Sequence, residues 1–220
     1  MPRVSQSYLE SRRRQIMDAA ISCFAREGFH RATMQDIVAE TGLSAGAIYR
    51  YFRSKEDIVA AIAAERHAAE AAALAEVAEV AEVGEVGEVG GGDDLAAALR
   101  HLVGVSLGRL ADPAEQRWRR VTVQVWGEAL RNDRVMGIVR GGLEEPVRIL
   151  ADLFRRGQHN GSLPPGLDPD GAARVCASIF QGLVLQQAWE PQLDVSGYIS
   201  AVLALVDALA RPASPGLSGA

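Results

Sequence analysis

The stretch Thr33–Lys55, TMQDIVAETGLSAGAIYRYFRSK, decides the fold. Thr33 followed three residues on by Asp36 has the spacing of a capping box, in which a hydroxyl and a carboxylate satisfy the free N–H groups of a starting helix. That helix is predicted to run to about Thr41, with Met34, Ile37, Val38 and Thr41 recurring at three and four along one buried face. Gly42 supplies the backbone freedom that a helix C-terminus uses. Ser44 is placed to cap a second helix reaching Tyr51. Ala47, Ile48, Tyr51 and Phe52 give this second helix a core-facing side, and Ala45, Gly46, Tyr49 and Arg50 are left facing out.

Two helices joined by three or four residues around a glycine make a helix-turn-helix. Its second helix lies in the DNA major groove with its N-terminal residues nearest the base edges. Ala45, Gly46 and Ala47 let the backbone approach DNA closely. Tyr49 offers a hydroxyl to a phosphate, and Arg50 offers five donors to a phosphate or a guanine.

At these residues the chain resembles the N-terminal domain of TetR-type transcriptional regulators. The resemblance rests on Phe24, Gly28, Phe29, Thr33, Ile37, Ala39, Gly42, Ser44, Gly46, Tyr49, Tyr51, Phe52 and Lys55 in order, and spans about Arg12 to Ile58. It implies that Thr33, Tyr49, Tyr51 and Lys55 meet backbone phosphates, and that Ser44, Ala45, Gly46, Ala47 and Arg50 lie on the base-edge side. Ala45 and Ala47 depart from members with longer polar groups there, so direct readout is expected to rest on few residues: Arg50, and contact of the alanines with thymine methyls.

Working outward, a first helix is predicted from about Tyr8 to Glu27, burying Ile16, Ala20, Cys23, Phe24 and Leu9. Arg12, Arg13 and Arg14 open it, and this run is either a solvated face or a set of phosphate contacts. Lys55, the single lysine, starts a fourth helix after the capping pair Ser54 and Asp57. A cation there opposes the helix dipole, which a phosphate would explain. This helix is expected to run to about Val83. Glu recurs at 76, 79, 82, 85 and 88, each followed by Val, and a period of three drifts around a helix. With glycines at 90 to 92 the repeat therefore reads as a mobile acidic linker.

Helices are then expected from Asp93 or Asp94 to about Leu110, from Ala114 to about Arg131, from Asp133 to about His159, from Asp168 or Asp170 to about Trp189, and over Val195–Ala210. Gly141, Gly142 and Pro146 predict a kink or break in the third of these. The expected organisation is all-α: a DNA-binding domain over 8–55, a connecting helix and acidic linker over 56–92, a helical effector-binding and dimerisation domain over 93–210, and a disordered tail over 211–220. The last two helices carry more apolar surface than one contact requires, which suits a two-fold four-helix dimer interface, as in the family resembled.

The 220 residues carry a net charge of −5. Residues 1–55 nevertheless hold nine basic and five acidic side chains, leaving 14 basic and 23 acidic ones in the remainder. A basic head on an acidic body suits a protein that sets one end on phosphates. Cys23 and Cys176 read as core residues of a reducing compartment. With no apolar signal core or membrane-length run, the expected location is the cytoplasm.

The four histidines, His30, His67, His101 and His159, fall singly, and no nucleophile or metal arrangement accompanies them. Neither catalysis nor a cofactor nor a metal is expected. An effector pocket would be built between body helices, and Trp118, Trp126, Phe154, Phe180, Gln181, Gln186, Gln187 and Trp189 are its candidate lining. The function implied is a homodimeric repressor, released from a roughly palindromic DNA operator by a small molecule. The competing reading is an architectural or interaction protein without an effector.

Overall fold

The computed structural model describes residues 6–83, 92–112 and 115–209. Its helices are α1 (Gln6–Glu27), α2 (Met34–Thr41), α3 (Ala45–Tyr49), α4 (Lys55–Val83), α5 (Gly92–Gly108), a 3-10 turn (Arg109–Ala111), α6 (Gln116–Ala129), α7 (Asp133–His159), α8 (Pro169–Trp189) and α9 (Val195–Leu209). Among the described residues there is no strand, as expected of an all-α chain, and no helix long and apolar enough to cross a membrane. The expected acidic linker over 84–91, the turn at Pro113 and the tail from 211 lie outside the described residues.

The chain divides into two compact units. One comprises residues 1–68 and 114–142; the other comprises 69–113 and 143–220. The division falls within α4 and within α7. It differs from the expected layout, because α6 and the start of α7, assigned from sequence to the body, cluster with the head.

The first unit is organised on one hydrophobic cluster. Ile16, Ala20, Cys23 and Phe24 of α1 meet Ile37 of α2, Ile48 of α3, Ile58, Val59 and Ile62 of α4, Val121 and Val125 of α6, and Val135 of α7. Phe24 and Phe29 meet edge to face at 5.1 Å, a pairing worth about 1 kcal/mol beyond the area buried. Met17 and Ala19 join the buried face of α1, whereas Leu9, expected inside, is exposed on the first turns, before the helix meets its neighbours. The helix-turn-helix is shorter than predicted at its end: α3 stops at Tyr49, and Arg50 and Tyr51 form the turn after it.

The second unit has its own core of Ala98, Leu99 and Leu102 from α5, Leu150, Ala151, Leu153 and Phe154 from α7, Leu163, and Ala173 from α8. Asp168 caps α8 through the amide of Gly171 at 3.0 Å, and Pro169 follows at the first-turn position where a missing N–H costs nothing. Asp194 caps α9 through the amides of Ser196 and Gly197 at 3.0 and 3.1 Å. Tyr198 of α9 donates its hydroxyl to the Ile179 carbonyl of α8 at 3.0 Å, and Arg100 of α5 pairs with Asp207 at 2.5 Å. Helix α7 runs unbroken through Pro146. The proline forfeits only the bond to the carbonyl four residues back, at Gly142, and the burial of Leu150, Ala151, Leu153 and Phe154 beyond it holds the helix together.

Candidate nucleic-acid interface

The reading head is assembled by short-range hydrogen bonds. Thr33 Oγ1 accepts from the Asp36 amide at 3.3 Å, and the Asp36 carboxylate accepts from the Thr33 amide at 2.8 Å and from its hydroxyl at 2.7 Å. The reciprocal box predicted from spacing is present. The Thr33 hydroxyl, then its amide, hold the Asp36 carboxyl below its ordinary pKa. Gly42 adopts φ +66°, a left-handed conformation that ends α2 and redirects the chain. Ser44 Oγ accepts from the Ala47 amide at 3.3 Å, capping α3. Ile48 is fully buried beneath α3. Above it Ser44, Ala45, Gly46, Tyr49 and Arg50 are exposed, Ala47 is half-buried, and Tyr51 packs half-buried against the core. Thr33 is exposed at the start of α2. Of the predicted base-edge residues, Ala45, Gly46 and Ala47 lie on the five-residue helix, Ser44 is its N-cap and Arg50 follows in the turn; all but the half-buried Ala47 are exposed.

Lys55 is held by main chain in the free protein. Its ammonium donates to the carbonyls of Phe29, His30 and Ala32 at 2.8, 2.9 and 3.2 Å, and lies 4.8 Å from the centre of the Phe29 ring. An ammonium has three donors, and all three are committed to main chain. Without DNA, the cation at the start of α4 is satisfied by the carbonyls of the α1–α2 turn. Gln124 of α6 accepts from the Phe29 amide at 2.8 Å. Gly28 opens this turn at φ +87°. Ser54 caps α4 through the Asp57 amide at 3.2 Å, while the Asp57 carboxylate accepts from the Arg53 amide and pairs with Arg134 of α7. Burial pushes the Asp57 carboxyl up, but the Arg53 amide and the Arg134 guanidinium outweigh it and leave the pKa below its ordinary value.

Counted over its two segments, the first unit carries 16 basic and 11 acidic residues, a net of +5, so the other holds −10. The charge separation is wider than the one read at residue 55, because α6 and the start of α7 contribute Arg117, Arg119, Arg120, Arg131, Arg134 and Arg140 to the reading unit. This long-range membership had no signal in local spacing.

The candidate effector residues separate. Trp118 lies in the first unit beneath Arg66, whose guanidinium is 4.3 Å from its ring and 2.5 Å from Glu115, and Trp126 lies half-buried in the same unit. Phe154, Phe180, Gln181, Gln186, Gln187 and Trp189 belong to the second. Of these, Phe154 and Gln187 are buried, Phe180 and Gln181 half-buried, Gln186 exposed, and Trp189 72% exposed. Gln187 donates to the Leu110 carbonyl at 3.1 Å, while its buried Oε1 has no partner among the described residues. Among the described residues no group of three metal-ligating side chains converges.

Against known proteins, residues 16–62 match the profile of bacterial regulatory proteins of the tetR family, and residues 95–211, more than half of the chain, match that of BetI-type transcriptional repressors, C-terminal. The chain belongs to the TetR family. It is 29% identical over 215 residues to the HTH-type transcriptional repressor Rv1474c of Mycobacterium tuberculosis, covering 94% of this chain and 97% of that one. This TetR-family chain also shares its fold with the fatty acid degradation regulator FadR from Bacillus halodurans, with a TM-score of 0.71 at 21% identity, covering 93% and 96% of the two chains. A similar likeness holds to SmeT in its triclosan complex, with a TM-score of 0.69 at 23% identity and coverages of 94% and 97%. It is a DNA-binding transcriptional regulator, and its relatives are regulators, not enzymes.

Proposed function

We propose that this protein is a homodimeric repressor, acting in the cytoplasm, that occupies a roughly palindromic operator and leaves it when a small molecule binds the helical body. The observation that carries the DNA half is the exposed N-terminal turn of α3. Ser44, Ala45 and Gly46 stand outward over a buried Ile48, with Arg50 just beyond, which is the placement that base-edge reading requires. Thr33 at the capped start of α2 is assigned to backbone phosphate, as are Tyr49 and Tyr51. Direct readout rests on Arg50 and on the methyl surface of Ala45 and Ala47.

Dimerisation is assigned to α8 and α9. Val175, Trp189 and Leu205 are 60%, 72% and 65% exposed in the single chain, an apolar surface that the two-fold packing of a second copy would cover. The two copies of α3 then address half-sites about one helical turn apart or somewhat more.

The effector site is assigned to the second unit around Gln187, Phe180 and Phe154. The Gln187 amide is fixed by its bond to Leu110, and the acceptor left over is a buried polar atom in want of a donor. A ligand with an apolar body and one hydroxyl or N–H group suits this lining. The triclosan complex of SmeT supports small-molecule control on this fold. The effector weakens DNA binding by as much as its own affinity differs between the bound and released conformations. The test is selection of bound fragments from random duplex DNA, followed by displacement of the recovered site with a metabolite panel. A palindrome released by one compound class is expected; an enriched palindrome insensitive to every compound sinks the effector half, and no enrichment sinks the whole.

A further inference from the structure

The three consecutive arginines Arg12, Arg13 and Arg14 of α1 are chemically alike in sequence, and the structure separates them. Arg13 is paired: its guanidinium meets Glu65 of α4 at 2.9 Å on the surface and lies 5.5 Å from the centre of the Phe52 ring. Arg14 is exposed. Arg12 is held on neutral groups alone. Its guanidinium lies 5.0 Å from the centre of the Tyr8 ring and donates to Gln15 Oε1 at 2.6 Å, and among the described residues no carboxylate lies within ion-pair distance. Gln15 in turn donates to the carbonyl of Thr41 at 3.2 Å. Thr41 is the last residue of α2, and Thr41 Oγ1 accepts from the Leu43 amide at 3.1 Å in the turn that leads to Ser44 and α3. Arg12 is thus tied, through one glutamine, to the joint of the helix-turn-helix.

Arg12 lies in the second turn of α1, whose first turn holds no acid to pair with it. Arg12 is held by Tyr8 and Gln15, with no paired carboxylate among the described residues and a fork of donors still unspent. Immobilising a long side chain costs conformational entropy, which an anionic ligand would recover as affinity. We propose that Arg12 binds a DNA backbone phosphate outside the two reading helices, with Tyr8 and Gln15 as its positioning residues, so that the contact fixes the register of α2 and α3 on the duplex. The inference deepens the DNA-binding reading and rests on it.

The test compares the full-length parent with Arg12→Gln and Arg13→Gln on the selected operator and on an unrelated duplex, from 50 to 200 mM salt. A phosphate contact contributes a slope of about 0.9 in log K against log salt for each copy. For a dimer with two Arg12 contacts, the parent's advantage over Arg12→Gln should therefore shrink by about tenfold across that range. Operator and unrelated duplex should weaken together. Arg13→Gln should lower the melting temperature and keep the parent's slope. A second measurement leaves the protein unchanged: single methylphosphonate substitutions are walked along the operator flanks. One position should weaken the parent and leave Arg12→Gln indifferent. An unchanged slope in Arg12→Gln, or no such position, overturns the assignment. Failure of the parent to bind any duplex would sink the DNA-binding reading itself, which keeps the two failures apart.

Discussion

Replacing Lys55 by methionine sets two accounts of one residue against each other. Methionine keeps an unbranched stem of similar length and removes the ammonium, so the carbonyls of Phe29, His30 and Ala32 lose their donor at 2.8, 2.9 and 3.2 Å. Hydrogen bonds to a charged group contribute about 1.5–3 kcal/mol each. They share one cation here, and the site is partly open to water, which hydrates the carbonyls in its place. The sum is therefore well below threefold, and a loss of about 2–4 kcal/mol is expected. The stacking on Phe29 adds to it within that range. Urea unfolding of the parent and Lys55→Met at one protein concentration, at neutral pH, reads the difference as a lower midpoint with an unchanged slope. Lys55→Arg should recover little of it, because a planar fork cannot converge on three carbonyls as an ammonium does. The salt dependence of operator binding, measured cold where both proteins are folded, should keep the parent's slope. Intact stability together with a slope lowered by about 0.9 per copy would refute the clamp and return Lys55 to a phosphate.

Arg50→Ala is expected to relax preference at particular base pairs by about 1–3 kcal/mol, read by selection of bound sequences; equal weakening on every sequence would make Arg50 a phosphate contact. At Gly142 an added Cβ would lie 2.0 Å from the His67 ring, so Gly142→Ala should expel the half-buried imidazole at a cost of about 1 kcal/mol, and His67→Ala in the same chain should restore the melting temperature. Burial pushes the His67 pKa below its ordinary value. The unfolded chain therefore takes up the proton first, near pH 6.5, so the stability is complete above that pH and falls as pH drops toward the folded-state pKa, by at most about 1.4 kcal/mol per pH unit. His67→Gln should flatten this limb of a stability profile below pH 6.5, and an unchanged profile would place the acid sensitivity elsewhere.

What the sequence made legible was local. The capping box of Thr33 and Asp36, the left-handed Gly42 and the Ser44 cap each join residues within a few positions of one another, so spacing alone discloses them. Ile37 and Ile48 were readable because helical periodicity marks a buried face even when the partner is unknown. What remained hidden was long-range. The carbonyls that Lys55 serves lie 23 to 26 residues upstream, and the amide that Gln124 accepts lies 95 residues upstream. A stripe such as Trp118, Val121 and Val125 announces that α6 buries a face without naming the core, and nothing in its spacing discloses Arg66 lying across the Trp118 ring. Of the kink or break that Pro146 predicts, the break is absent, because a lost hydrogen bond is set against tertiary packing that continues beyond it.

The reading unit is made from two separated pieces of chain, and this sets a timetable for its synthesis. Residue 142 leaves the ribosome 74 residues after residue 68, a delay of about 4 to 15 seconds at ordinary elongation rates. During that interval the side of the core that α6 and α7 close with Val121, Val125, Ala129 and Val135 has no partner. A nascent chain that already holds both helices of its DNA-reading motif is therefore an incomplete and sticky one.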